Sequence, residues 1–351
     1  MLTTDLVEHI LNTLPHRTVG LLGDLFLDRY LDIDPARDEP SVETGLTAYQ
    51  VVNVRSYPGA LGTVLNNLTA LGVGRIVPIA AVGDDGEGYE LRKALQTIPV
   101  VDLGGVFSAA GRRTPTYTKP MVIENGRPAR ELNRLDIKNR TPTPAAAEET
   151  ILRLLDEAWP RLDALIVLDQ VSEDDCGVVT KRVREHLAEL GERDPGKFVI
   201  ADSRERIGLF RNVCVKPNAK ELSRGVGQPG DDLVAGSRLL SRQCRRTIFS
   251  TAGERGIRVY RHMGEHTPPT EIHTQAYPVS GPIDICGAGD SCSAGITSAM
   301  VAGSTHVQAA AFGNLVASIT IQQIGVTGTA TPEQVRGRWR EVGSLPGALP
   351  G

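Results

Sequence analysis

From about residue 145 the sequence alternates between short apolar segments of strand length and amphipathic segments of helix length. A helix over 145–160 leads to a strand at 164–168, a helix over 173–190 leads to a strand at 198–201, and a strand at 213–215 precedes a helix starting near Asn218. A strand at 247–250, an extended pair across 257–278, a helix after Asp290 and a last long helix over 306–324 complete the series. Parallel strands need crossover connections, and helices of this length supply them. The expected class is therefore α/β, a mostly parallel sheet covered by helices on both faces. The N-terminal part keeps the rhythm, with a helix at 3–14, strands at 18–23 and 76–82, a helix at 60–71 stopped by Gly72, and a helix at 89–95. Two patches, 29–56 and 112–138, break it, because 26–33, 50–54 and 117–122 alternate like strands among polar connections. They read as a small β-sheet lid inserted into a core spanning 1–340, with an irregular Gly/Pro-rich tail at 341–351.

Composition narrows the class. The chain has 351 residues, 40% of them hydrophobic, and a net charge of −4. That balance gives no electrostatic case for nucleic acid or an anionic membrane. The five cysteines are odd in number and lack C-x-x-C spacing, as in free thiols of a reducing compartment. The N-terminus has early acids and no basic region followed by an apolar one, and no apolar run approaches membrane-spanning length. A soluble cytoplasmic protein is expected.

The stretch 283–295 reads I-D-I-C-G-A-G-D-S-C-S-A-G. Gly287, Ala288 and Gly289 bare the backbone before an acid, Asp290, and small helix-compatible residues follow. The first N–H groups of a helix lack internal partners and the dipole there is positive, so such a turn is an anion site. A carboxylate beside it should repel an anion. It makes sense if it takes a proton from an alcohol while the loop N–H groups hold charge on a transferred phosphoryl group. The other reading is a Gly-rich turn with Asp290 as an ordinary cap. Asn218 and Glu221 share a face at a helix start. Oxygen ligands at that spacing suit a magnesium ion that keeps several waters, and a capping box explains the pair equally. The run G-E-R-D-P-G-K at 191–197 imitates a P-loop, but Phe198 replaces the hydroxyl residue and the run precedes a strand, so it reads as a surface turn.

The segment 284–291, D-I-C-G-A-G-D-S, resembles the D-T-x-G-A-G-D-[TS] signature of the ribokinase-like (PfkB) carbohydrate kinases. The resemblance extends over nearly the whole chain and is nearest to the kinase module of the heptose-7-phosphate kinase/adenylyltransferases. It implies a ribokinase-like fold, ATP and Mg2+, with Asp290 as base and the N–H groups of Ala288, Gly289 and Asp290 around the phosphoryl group. Asn218 and Glu221 match N-x-x-E, which positions magnesium and phosphates largely through water. Thr251, Gly253 and Gly256 match a T-x-G-x-x-G turn near the nucleotide phosphates, and Asn314 with 317–328 falls where the family closes over adenine. Asp284, Ile285, Ser318 and Gly325 stand near the expected places for a monovalent cation such as K+.

On the acceptor side, G-D-L-F-L-D-R-Y at 23–30 resembles G-D-x-x-L-D-R-Y, which implies Asp28 as the sugar-binding acid. Asp24 also reads as an exposed strand-end acid paired with Arg29. Gly59 opens a stretch resembling G-G-A-A-N-V-A-x-N-L-A-x-L-G, with Ala60 in place of the second Gly and Thr63 in place of the sugar-binding Asn. Lys119 and Arg134 fall in segments that could meet an acceptor phosphate, although Met121 replaces the family's Arg. Solvated lid charges are the bland reading of both. The turn at 83–88 reads as structural, Asp169-Gln-Val departs from D-Y-x-K-G, and Asp202-Ser-Arg204 is similar to D-P-K.

The expected function is ATP-dependent phosphorylation of a sugar or sugar-phosphate hydroxyl, with a heptose-phosphate-like acceptor and a homodimer formed through the lid. A second reading, motivated by Ala60, Thr63 and 169–171, is a sugar- or nucleotide-binding protein that no longer phosphorylates. A third is a nucleoside kinase, against which the 4% aromatic content argues.

Overall fold

The computed structural model describes residues 2–124, 126–227, 233–264, 267 and 269–343. Helix α1 (Thr4–Thr13) leads into β1 (Thr18–Gly23), which passes through Asp24 into β2 (Leu25–Ile33). A hairpin of β3 (Glu39–Pro40) and β4 (Thr47–Ala48) and the long strand β5 (Val51–Ala60) return to α2 (Leu61–Leu71), β6 (Arg75–Val82), α3 (Gly86–Gln96) and β7 (Val106–Ser108). The chain then forms β8 (Thr116–Val122), β9 (Arg130–Glu131) and β10 (Leu135–Ile137). It continues as α4 (Ala145–Ala158), β11 (Ala164–Asp169), α5 (Lys181–Arg193), β12 (Phe198–Ser203), β13 (Cys214–Val215), α6 (Ala219–Val226) and α7 (Leu233–Cys244). Last come β14 (Ile248–Thr251), β15 (Ile257–Arg261), β16 (Thr270–Thr274), α8 (Ala288–Val301), α9 (His306–Thr320) and α10 (Pro332–Val342).

Among the described residues the core sheet has the order β16-β15-β14-β13-β12-β11-β1-β6-β7, antiparallel only at β14/β15/β16. Its central strands are apolar on both faces, as a doubly covered parallel sheet requires. Leu21 enters the core beneath α2, α8 and α9, while its neighbour Leu22 enters the core beneath α4 and α5. Among the described residues no helix is long and apolar enough to cross a membrane.

The second sheet, β10-β8-β2-β5, is the lid. It grows straight out of the core, since β1 and β2 are separated by Asp24 alone. Asp24 is buried, and is not paired with Arg29 as the sequence suggested. Its Oδ2 accepts from the N–H groups of Gln170 (2.8 Å) and Val171 (3.1 Å), and Oδ1 from Val178 (2.8 Å). Arg29 turns instead to Glu90 (2.8 Å) and Glu87 (3.4 Å) on α3. Burial, and then the neighbouring Asp169, push the Asp24 carboxyl up to about 6. Asp169 is fully buried and clasped by Arg206 (Oδ1–Nη2 2.6 Å).

Asp24 also explains where the helix expected over 173–190 begins. The chain at 173–180 wraps around its carboxylate, Asp175 takes φ +53°, and α5 starts only at Lys181, capped by Thr180. Helix α9 ends at Thr320, before the expected 324, and α10 runs on to Val342, past the expected boundary at 340. The rest of the tail, 344–351, lies outside the described residues.

Where β5 returns to α2, Ala60 takes φ +51° and ψ −112°. A Cβ is disfavoured there, and such residues cost about 1–3 kcal/mol. Ala60→Gly should therefore raise stability by about 1 kcal/mol after the greater chain entropy of glycine is subtracted. Denaturant melts of both proteins check this; a loss of stability would show that the junction is unstrained.

Candidate active site

The carboxyl ends of β1, β11, β12, β13 and β14 open toward the lid, the edge at which parallel α/β sheets place their ligands. Helix α8 points its N-terminus there. Gly287 caps it at φ +76°, and a Cβ at that position would lie 2.5 Å from Thr327 Cγ2, so the turn admits only glycine. The Ala288 N–H, expected to face a phosphoryl group, donates to Ile285 O (3.1 Å). The N–H groups of Gly289 and Asp290 have no hydrogen-bond partner among the described residues. These two form the anion site.

Beneath that turn lies Lys216, at the end of β13. Its Nζ is 2.7 Å from Asp202 Oδ2 and would be 3.5 Å from a Cβ at Gly289. Burial alone would strip its charge, but Asp202 holds its pKa above the ordinary lysine value. Asp290, in the first turn of α8, is half-buried at the cleft wall. Burial, and then Asp202, push its carboxyl up to about 7; Asp28 adds to this, while Lys216 and Arg204 pull it down. Glu221 shares the Asp202 and Lys216 neighbours, and burial followed by Asp202 raises it too. Asp290 and Glu221 thus sit in one electrostatic field.

The Asn218–Glu221 pair forms a full capping box. Asn218 Oδ1 accepts from the N–H groups of Lys220 (2.9 Å) and Glu221 (3.0 Å), and Asn218 N–H donates to Glu221 Oε2 (2.8 Å). Among the described residues Glu221 Oε1 accepts no hydrogen bond, so the cap leaves one oxygen for a cation. Thr251 lies beside the pair, its N–H donating to Pro217 O (2.9 Å). Gly253 and Gly256 close the following turn, with Gly256 N–H donating to Gly253 O (2.9 Å). Thr251, Gly253, Gly256, Gly289 and Asn314 line one cleft of about 540 Å³. Asn314 is buried rather than exposed; its Nδ2 donates to Thr274 O (3.2 Å) and Gln275 O (3.1 Å), fixing the cleft wall.

Of the residues expected around a monovalent cation, Asp284 and Gly325 meet directly, with Gly325 N–H donating to Asp284 Oδ2 (3.1 Å). Ile285 is exposed in the same loop. The Ser318 carbonyl, among those expected to meet a cation, accepts from Gln322 Nε2 (2.6 Å), and its hydroxyl accepts from Arg338 Nε (3.2 Å).

The acceptor side is built by strand register. Cross-strand partners share a face, so the pairs Asp28↔Tyr57, Tyr30↔Arg55, Asp28↔Tyr117 and Tyr30↔Lys119 put all six side chains on one side of the lid. Asp28, Tyr30, Arg55, Tyr57 and Thr63 line a pocket of about 140 Å³ together with the 325–327 loop. The Asp28 carboxylate accepts no hydrogen bond among the described residues, and burial raises its pKa against Lys119 and Arg134. A Cβ on Gly59 would lie 2.6 Å from Asp28 Oδ2. Lys119 Nζ donates to Tyr30 Oη (3.0 Å). Arg134, expected to offer its fork to a phosphate, is instead held by Asp136 (2.6 and 2.9 Å) and lies 4.1 Å over the Tyr117 ring.

Sequence reasoning missed Lys216 and the tyrosines. A lysine ending the buried segment C-V-K-P was the available signal for the first, and period-2 alternation across three lid strands for the others.

Residues 202–334 match the model described as pfkB family carbohydrate kinase. A protein of Desulfatibacillum aliphaticivorans named bifunctional protein HldE is 28% identical over 322 residues, 90% of this chain and 61% of its own length. The chain thus spans about three fifths of that curated relative. A ribokinase of Arabidopsis thaliana, solved with ribose and ATP, superposes with a TM-score of 0.63 at 17% identity, covering 92% of this chain and 98% of its own. Phosphofructokinase-2 of Escherichia coli, solved with substrates and products, gives 0.64 at 17% identity, covering 93% and 99%. Residues 202–334 thus match a carbohydrate-kinase family model, and the whole chain has the ribokinase-like fold.

Proposed function

We propose that this kinase transfers the terminal phosphoryl group of ATP to a hydroxyl of a sugar phosphate of the heptose-7-phosphate kind, in the cytoplasm. The observation that carries the reading is Asp290, with a pKa near neutrality, beside the two free N–H groups of Gly289 and Asp290. Asp28 accepts hydrogen bonds from acceptor hydroxyls and orients them. Asp290 takes the proton of the attacking hydroxyl. The N–H groups and Lys216 face the oxygens on which charge gathers. Asn218 and Glu221 would hold magnesium, which when bound neutralises phosphate charge; the free Oε1 and raised proton affinity of Glu221 fit a cation there. Asp284, Ile285 and Gly325 would supply oxygens to a potassium ion near the same loop. Five unpaired cysteines suit the reducing compartment.

Two observations weigh against the other readings. The Tyr30 ring carries Lys119 (4.7 Å) and Arg55 (4.9 Å), and Tyr117 carries Arg134, so these rings are engaged by cations and not open to a stacked base. The base, the anion site and Lys216 all lie at one end of the cleft, which a protein that only binds would not need.

With ATP and a panel of sugars and sugar phosphates, Asp290→Asn should lose about 10²–10⁴-fold in kcat while sugar binding persists. Equal ADP release by both proteins would refute the assigned base. The pH dependence has a fixed sign. Below about 7 the Asp290 carboxyl carries a proton and cannot accept another, so kcat/KM should fall about tenfold per pH unit on the acid side and level off above it. A profile flat from about pH 5 to 8 would contradict this.

The outer face of the lid supports a homodimer. Val54 and Leu135 are 55% and 62% exposed, on strands whose inner residues face the cleft. Light scattering should give twice the 37.7 kDa chain mass, and a monomer would end this part of the reading.

A further inference from the structure

The charges around the acceptor pocket pair off and leave two cations over. Arg55 is matched by Asp32 (2.8 Å), Arg134 by Asp136 (2.6 Å) and Lys216 by Asp202 (2.7 Å). Lys138 also reaches Asp136, at 3.9 Å. Lys119 and Arg204 have no carboxylate within ion-pair distance among the described residues, and Lys119 is satisfied only by the Tyr30 hydroxyl. Lys119 is half-buried and keeps its charge through Tyr30 and Asp28, with ammonium donors left for an arriving anion.

Arg204 is the first residue past β12. Its backbone is pinned on both sides, with its N–H donating to Asp169 O (3.2 Å) and its carbonyl accepting from Arg224 Nη1. Along an extended segment alternate residues share a face, and Asp202, two residues back, faces the cleft to meet Lys216. Ser203, between them, turns the other way to Asp169 (2.6 Å). Arg204 therefore projects over the cleft, exposed and with no hydrogen bond from its guanidinium among the described residues. It lies within electrostatic reach of Asp290 on α8, Glu221 on α6 and Tyr117 on the lid. Three elements, two from the core and one from the lid, converge on this side chain.

We propose that Arg204 binds a phosphate group already carried by the acceptor, with Lys119 on the lid as the second cation of that subsite. This rests on the kinase reading above and adds a specificity residue to it. The transferred phosphoryl group has its own donors in the Gly289 and Asp290 N–H groups and Lys216, all deeper than Arg204. A guanidinium fork at the seam of core and lid matches two oxygens of a phosphate and joins the two halves when the acceptor is present.

The test uses Arg204→Ala and Arg204→Lys with hexose 6-phosphates, heptose 7-phosphates and the same sugars without phosphate. For Arg204→Ala, assayed well above the Asp290 pKa so that losing the pull of Arg204 on that carboxyl does not enter, the KM for the phosphorylated acceptor should rise about 10- to 100-fold, with the KM for ATP and for unphosphorylated sugars within about threefold of wild type. Arg204→Lys should recover part of the loss. Equal effects on phosphorylated and unphosphorylated acceptors, or a fall in kcat alone, would overturn the proposal, the latter by moving Arg204 to the transferred group. Calorimetric titration of sugar phosphate in the absence of ATP keeps the two readings apart. Binding that Arg204→Ala abolishes supports the subsite even if no phosphoryl transfer is seen, whereas undiminished binding by the variant refutes it while leaving the kinase reading standing. Matching thermal melts of the variants would show that the exposed substitution has not disturbed folding.

Discussion

A buried ammonium beneath the first turn of a helix organises this site. Lys216 and Asp202 follow immediately on the register pair Ala201↔Val215 of β12 and β13, so the parallel sheet itself fixes their separation at 2.7 Å. Burial would make the lysine neutral if it stood alone; with Asp202 beside it, it keeps its charge. Helix α8 then sets its free N–H groups over the pair. Asp290 consequently feels two carboxylates, Asp202 and Asp28, and two cations, Lys216 and Arg204, in a desolvated cleft. Its proton affinity near neutrality is the balance of these, and it depends on sheet register as much as on the Gly-rich loop.

The lid is held by the same economy of means. Asp24 closes β1 and opens β2, its carboxylate gathers three backbone N–H groups from the 170–178 segment, and its carbonyl accepts from Leu61 N–H (3.0 Å) at the start of α2. Asp85 does comparable work on the third lid strand, accepting from Thr114 N–H (2.9 Å) and Oγ1 (2.7 Å) just before β8 while capping α3. The lid base is thus tied to the core by carboxylates that satisfy backbone groups, and the strain at Ala60 sits between these anchors. An acceptor held on the inner face is positioned by a platform whose root cannot slip in register without breaking these bonds.

The alternation of strands and helices was enough to read the core, because a parallel sheet buried on both faces leaves that period in the chain. The helix start misplaced by several residues lay at 173–180, where the backbone is captured by Asp24 from a distant strand; no local periodicity carries that information. The site divides the same way. The Gly287–Asp290 turn and the Asn218–Glu221 capping box were legible because their geometry is local. Lys216 and the tyrosines of the lid were not, since their meaning comes from cross-strand neighbours. The fork of Arg134 is taken up by Asp136, two residues on in β10, where alternate side chains share a face.

The two departures in the glycine-rich acceptor stretch bear on different parts of the molecule. Space next to Asp28 is guarded by Gly59, where a Cβ would fall 2.6 Å from Asp28 Oδ2. Ala60, one residue on, pays in backbone conformation at the root of the lid, with φ +51°, and leaves the approach to Asp28 open. Thr63 lines the lid pocket and turns its methyl toward the Gly287 turn, where Cγ2 would be 3.3 Å from an added Cβ. Neither change reaches the Gly289–Asp290 amides, Lys216 or Asp202. Both departures therefore lie apart from the first-turn amides and the Lys216–Asp202 pair, Ala60 at the root of the lid and Thr63 in the wall of the lid pocket.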